Sequence, residues 1–288
     1  MTEHIEGATP SIDIYADAEE VEKVAASAAL SLLRKASDGG ETGQESSDRL
    51  IHWVLTGGGV GIGTLRRIAE HPDLESVDWG RVHVWWGDER FLMAGDEERN
   101  ETQARQALLD QLVGEGLLPE GNIHPMPALG ATVAIGADPD AEDMLAAGLE
   151  IQVMDPGDAA AAYDEELAKY AGPADDIPQF ALLMLGMGPD GHVASLFPGN
   201  PGVEVTGTAT TGVWESPKPP PERVSLTFEA IRSAREVWLL ATGANKAPAI
   251  ATAMTGVHET EIPAVGARGR HKTRWFLDQA SAYLADGA

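Results

Sequence analysis

Cysteine is absent from the 288 residues. Disulfide scaffolds, cysteine nucleophiles and thiolate-ligated zinc or iron–sulfur sites are therefore excluded. A chain without thiols suits a reducing cytoplasm, which is the expected location. Basic residues are scarce: 20 Lys and Arg against 46 Asp and Glu leave a formal net charge of −26. Such a charge repels nucleic acid and anionic membrane surfaces over about a Debye length, so neither is an expected partner. The acidity itself reads as a solvated surface. No unbroken apolar run approaches the roughly 20 residues of a membrane-spanning helix. Residues Met1–Ser11 carry Glu3 and Glu6 without a basic leader or apolar stretch, and no secretory signal is expected.

What is present points to a folded enzyme-sized chain. With 43% hydrophobic residues, a chain of this length should bury roughly 75% of its unfolded surface and needs no metal or disulfide to form a core. Short apolar runs predict strands at Ile12–Tyr15, Ile51–Thr56, Val82–Trp86, Phe180–Leu185, Val237–Ala241 and Arg274–Leu277. Helix-period segments predict helices at Ala18–Lys35, Gly63–Glu70, Glu101–Leu112, Ala159–Tyr170, Ala244–Ala253 and Asp278–Ala285. Strands apolar on both faces that alternate with helices imply an α/β fold, a doubly wound and largely parallel sheet with helices on both faces, Rossmann-like in architecture. The expected organisation is one domain over residues 1–288, as a monomer or homodimer. Ser37–Asp48 reads as a solvated loop and Leu129–Asp158, which has no clean period, as a surface insertion.

Three segments carry candidate chemistry. Thr56–Gly63 (TGGGVGIG) follows a strand and opens a helix, where glycines allow close approach and the first-turn N–H groups suit an anion. It lacks the Gly-Lys-Ser/Thr of a P-loop, and a plain strand-to-helix turn explains it equally well. Gly87–Arg90 (GDER) ends an apolar strand. Arg90 has the planar fork that grips phosphate, and Asp88 and Glu89 are placed to orient it, although a surface ion-pair cluster is the plainer reading. The loop Gly186–Gly199 (GMGPDGHVASLFPG) puts Asp190 two residues before His192, the side chain suited to moving protons near neutral pH. Ser195 is not in a Gly-x-Ser-x-Gly elbow and is read as structural. His83, His124 and His192 show no metal-ligand spacing; they are read as scattered, and no metal is expected.

With His124–Pro127 (HPMP), Pro217–Arg223 (PKPPPER) and Thr242–Lys246 (TGANK), these segments resemble, in order and spacing, the motifs of the 6-phosphogluconolactonase family, itself similar to the glucosamine-6-phosphate deaminases and isomerases. The likeness runs from about Ile12 to Ala282. It implies hydrolysis of 6-phospho-D-glucono-1,5-lactone to 6-phosphogluconate, in the oxidative pentose phosphate pathway and without a cofactor. By the same likeness His192 is the general base and Asp190 orients it. Arg90 and Lys218 hold the phosphate, helped by backbone N–H groups of Gly57, Gly58 and Gly59. The oxyanion donors are backbone groups of Gly57–Gly59 or of Gly186–Gly188, Gly188 included. Arg223 and Lys246 are read as surface cations or substrate contacts with equal weight. Where the family commonly has Ser-Gly-Gly-Ser-Thr-Pro, this chain has Thr56-Gly57-Gly58-Gly59-Val60-Gly61, so Gly59 brings no hydroxyl. Asn100 matches the family and is expected to cap the helix after it.

Two other readings stand beside the lactonase. A glucosamine-6-phosphate isomerase or deaminase shares the fold, but the chain continues Val-Ala-Ser-Leu-Phe-Pro-Gly after His192 in place of a deaminase-type Asn-Glu-Pro. A non-catalytic sugar-phosphate sensor would need Arg90 and Lys218 but not His192.

Overall fold

The structure is a computed structural model that describes residues 10–38, 50–135, 149–173 and 175–283. In chain order its strands are β1 (Ser11–Tyr15), β2 (Ile51–Leu55), β3 (Val82–Trp86), β4 (Asp88–Arg90), β5 (Thr132–Ile135), β6 (Leu149–Gln152), β7 (Phe180–Gly186), β8 (Thr210–Val213), β9 (Arg223–Leu226), β10 (Glu236–Ala241) and β11 (Lys272–Asp278). The helices are α1 (Ala18–Ser37), α2 (Gly58–Ala69), α3 (Asn100–Ala104), α4 (Asp110–Gly114), α5 (Pro156–Ala168), α6 (Phe228–Ser233), α7 (Ala247–Ala253) and α8 (Gln279–Ala282).

Six strands form one sheet in the order β1-β11-β10-β7-β2-β3, and every neighbouring pair is parallel. They are the six expected from the apolar runs. Side chains alternate between faces along a strand, and the burial follows that period. Ile51, Trp53 and Leu55 of β2 join one core with α1 and α2, whereas Val54 joins the other with α5, α6 and α7. Helices therefore cover both faces, as the two-sided apolarity of the strands requires. Helix α1 shows the local logic: Val21, Ala25, Ala29 and Leu33 are buried on one stripe, Asp17 accepts from the Glu20 N–H at the start, and Arg34 and Lys35 lie in the last turn.

The structure departs from the sequence reading in identifiable places. Helix α2 starts at Gly58 rather than Gly63, so the glycine run is the helix's first turn and not a loop ahead of it. The helix expected over Glu101–Leu112 runs from Asn100 to Gly114 and widens to a π-helical turn at Arg105–Leu109. The supposed insertion at 129–158 contains the antiparallel β5–β6 pair, and its last residues belong to α5, because Asp155 and Asp158 form a capping box around Pro156. Residues 136–148 of it, like 39–48 of the Ser37–Asp48 stretch and the end of the Asp278–Ala285 helix, lie outside the described residues. A second, antiparallel sheet β4-β9-β8 was not expected. His83 and His124 are not scattered: His83 Nδ1 and His124 Nε2 are 2.8 Å apart, and His124 Nδ1 reaches Glu166 at 2.8 Å. Among the described residues no helix is long and apolar enough to cross a membrane.

Candidate active site

The carboxyl ends of β10, β7, β2 and β3, neighbours in the sheet, open into a cavity of about 370 Å³. Open parallel sheets bind ligands at such ends. The wall is built from Gly57–Gly59 after β2, Asp88 and Arg90 in β4, Gly188 and His192 after β7, and Asn245 and Lys246 after β10. Lys218 and Arg223 enter from the segment leading into β9.

Each segment folds this way for a local reason. Gly57 precedes α2 and has no side chain to cap it, so the first-turn N–H groups are left for the cavity. A Cβ on Gly57 would lie 1.9 Å from Asn100 Oδ1, which is why the chain carries glycine there. Beside it, the Gly186 N–H donates to Thr56 Oγ1 at 2.9 Å and ties the loops after β2 and β7 together. Gly188 serves His192. A Cβ there would meet the ring's Nδ1 and Cε1 at 2.1 Å, and the Gly188 N–H is committed to the His192 carbonyl at 2.9 Å.

His192 Nδ1 and Asp190 Oδ1 are 2.5 Å apart. With Nδ1 donating to the carboxylate, Nε2 keeps its lone pair. Burial works against the charge on Asp190, yet the His192 hydrogen bond and charge, with Lys218 adding to them, hold its carboxyl down to about 2. The His192 ring rests on Phe197 at 4.3 Å between centroids.

Of the cavity cations Arg223 faces Asp88, 3.8 Å from its Nη1, whereas Arg90, Lys218 and Lys246 have no ion pair within 4 Å among the described residues. Arg90 gives Nη1 to the Glu98 carbonyl, while its buried Nε has no partner. Burial, followed by the charge of Arg223, pushes the Lys218 ammonium pKa down against the pull of Asp190. Lys246 is likewise lowered, by burial first and then by Lys218. An anion in the cavity would relieve this repulsion, which answers the demand a net charge of −26 places on any anionic ligand.

Every site residue singled out from the sequence is here: Gly57, Gly58, Gly59, Arg90, Gly188, His192 and Lys218 line the cavity, and Asp190 stands behind His192. Arg223 and Lys246 line it too. Two expectations fail. Asp88 and Glu89 do not orient the Arg90 guanidinium. The Glu89 carboxylate accepts the backbone N–H groups of Arg90, Asn100 and Glu101. Nor does Asn100 cap α3, since Glu89 takes that role; Asn100 gives Nδ2 to the Asp88 carbonyl at 2.8 Å and leaves its buried Oδ1 unpartnered at the cavity. Sequence reasoning missed Asn245, whose neighbour Lys246 in the TGANK motif was the available signal. It read Ser195 correctly as structural, its hydroxyl donating to Asp88 Oδ2 at 2.7 Å. Among the described residues no group of three or more His, Asp or Glu side chains is placed to hold a metal ion.

Comparison with known proteins adds to this geometry. The family model described as glucosamine-6-phosphate isomerases/6-phosphogluconolactonase matches residues 17–275. A curated 6-phosphogluconolactonase of Streptomyces coelicolor is 45% identical over 276 residues, 95% of this chain and 94% of that one. Its namesake from Mycobacterium tuberculosis is 42% identical over 229 residues, 80% of this chain and 83% of the other. In fold, the chain is similar to the solved 6-phosphogluconolactonase of Trypanosoma brucei, with a TM-score of 0.71 at 24% identity over 97% of this chain and 99% of that chain.

Proposed function

The chain belongs to the glucosamine-6-phosphate isomerase/6-phosphogluconolactonase family, and on that footing we propose how its pocket works. The chain hydrolyses 6-phospho-D-glucono-1,5-lactone to 6-phospho-D-gluconate. The observation that carries the mechanism is the His192–Asp190 pair, 2.5 Å apart at a cavity lined by Arg90, Lys218, Arg223 and Lys246. His192 Nε2 takes a proton from water as the water oxygen attacks C1. The carbonyl oxygen becomes an oxyanion, the C1–O5 bond then breaks, and the imidazolium returns its proton to O5. Asp190 holds the ring's tautomer and steadies the imidazolium. A lactone is an activated ester, so a base and stabilisation of the oxyanion suffice.

Arg90 and Lys218 hold the phosphate. The Gly186 and Gly188 N–H groups are already committed, which supports the first turn of α2, at Gly57–Gly59, as the backbone donor set for phosphate and oxyanion. The same reading makes the molecule one domain acting in the cytoplasm as a monomer or homodimer, without nucleic-acid or membrane partners.

The test generates the lactone in situ with glucose-6-phosphate dehydrogenase and reads its opening with 6-phosphogluconate dehydrogenase. Opening well above the spontaneous rate is expected. Binding of the sugar phosphate without acceleration would mark a sensor instead.

A further inference from the structure

Three separately encoded walls of the pocket meet at one carboxylate. Asp88 Oδ2 accepts the Ser195 hydroxyl at 2.7 Å and lies 3.8 Å from Arg223 Nη1, and Oδ1 is 3.4 Å from Asn100 Nδ2. Ser195 is three residues beyond His192 and wholly buried. Its N–H donates to Ser225 Oγ at 3.1 Å, and Ser225 pairs with Asp88 across β4 and β9. Both bonds of Ser195 are thus anchored in the second sheet. Between His192 and Ser195, Ala194 has φ of 48°, a left-handed conformation that alanine adopts only when its surroundings impose it. Arg223 in turn spreads its guanidinium over the carbonyls of Lys218, Pro219 and Pro220 at 3.1–3.4 Å.

We propose that Asp88 is a positioning residue: through Ser195 it fixes the loop that carries His192, and through Arg223 it fixes the segment that carries Lys218. Base and phosphate anchor are thereby held at one working separation. The proposal rests on the roles given above to His192 and Lys218. Simple packing does not account for the arrangement. Asp88 and Arg223 are both buried, a desolvated ion pair is seldom better for stability than apolar side chains of the same shape, and this pair spans the two loops whose relative placement hydrolysis depends on. A displacement on the order of 1 Å at such a site costs as much as a hundredfold in rate.

Steady-state kinetics of wild type, Ser195→Ala, Asp88→Asn and the double variant in the coupled lactone assay test it, with melting curves alongside. Ser195 does not itself line the cavity. Ser195→Ala should lower kcat about tenfold and leave KM within about twofold. Asp88→Asn, which loosens both segments, should lower kcat and raise KM. Because Ser195 acts through Asp88, the double variant should turn over no more slowly than Asp88→Asn alone. Unchanged kcat in Ser195→Ala, or losses that multiply in the double variant, would overturn the proposal. Should Ser195→Ala not fold, Ser225→Ala releases the same loop from the other side and must show the same fall in kcat. A wild type no faster than spontaneous opening sinks the lactonase mechanism and this inference together, whereas an active wild type with an unimpaired Ser195→Ala sinks this inference alone.

Discussion

Arg90 is a donor without a full set of acceptors, and that mismatch fixes what its loss should do. Its Nε is buried and unpartnered at the cavity, a donor that an anionic ligand there can satisfy. Arg90→Ala should raise KM for the phosphorylated lactone at least about tenfold with kcat largely kept, since a charge-assisted bond to phosphate is worth roughly 1.5–3 kcal/mol in both ground and transition states. Equal loss in kcat and no change in KM would mean that Arg90 contacts the reacting end. This residue stood out in the sequence by its place after an apolar strand, but the residues alone read more plainly as a surface ion-pair cluster, and the family resemblance of Gly87–Arg90 assigned it to the phosphate. Asp88 was not legible, since its partners Ser195 and Arg223 lie far along the chain and only tertiary pairing of β4 with β9 brings them together.

Elements divide the same way. The six parallel strands were readable because a strand buried on both faces is apolar throughout, a signal that needs no partner to be recognised. Strands β4, β8 and β9 were not, because they are three or four residues long and their polar side chains are satisfied by distant segments. The start of α5 was misplaced because its capping box sits inside an irregular acidic stretch. Asp155→Ala should cost about 1 kcal/mol in urea unfolding, and a variant as stable as wild type would deny the cap. Strand β3, the loop at His124 and α5 are also joined by the His83–His124–Glu166 chain, whose histidines are buried and whose carboxylate is half-buried. Burial, then the neighbouring His124, lowers His83 to about 4 from 6.5, against the pull of Glu166. The unfolded chain therefore takes up the proton first. Stability from this group is complete above pH 6.5 and drains away as pH falls towards about 4. Relative to His83→Gln, the wild-type melting temperature should drop across that interval. Parallel profiles would contradict the assignment.

At the scale of the molecule, a chain of net charge −26 handles a phosphorylated substrate by gathering Arg90, Lys218, Arg223 and Lys246 at one end of its sheet. Composition showed that such an exception was needed, and the topology shows how it is met: adjacent strands deliver their following loops to the same crevice. The central claim is that this crevice performs base-catalysed hydrolysis with His192 as the base. It is tested most directly by turnover of His192→Ala against wild type in the coupled lactone assay. The account predicts a fall in kcat of about a hundredfold or more with KM little changed. Turnover equal to wild type would contradict it.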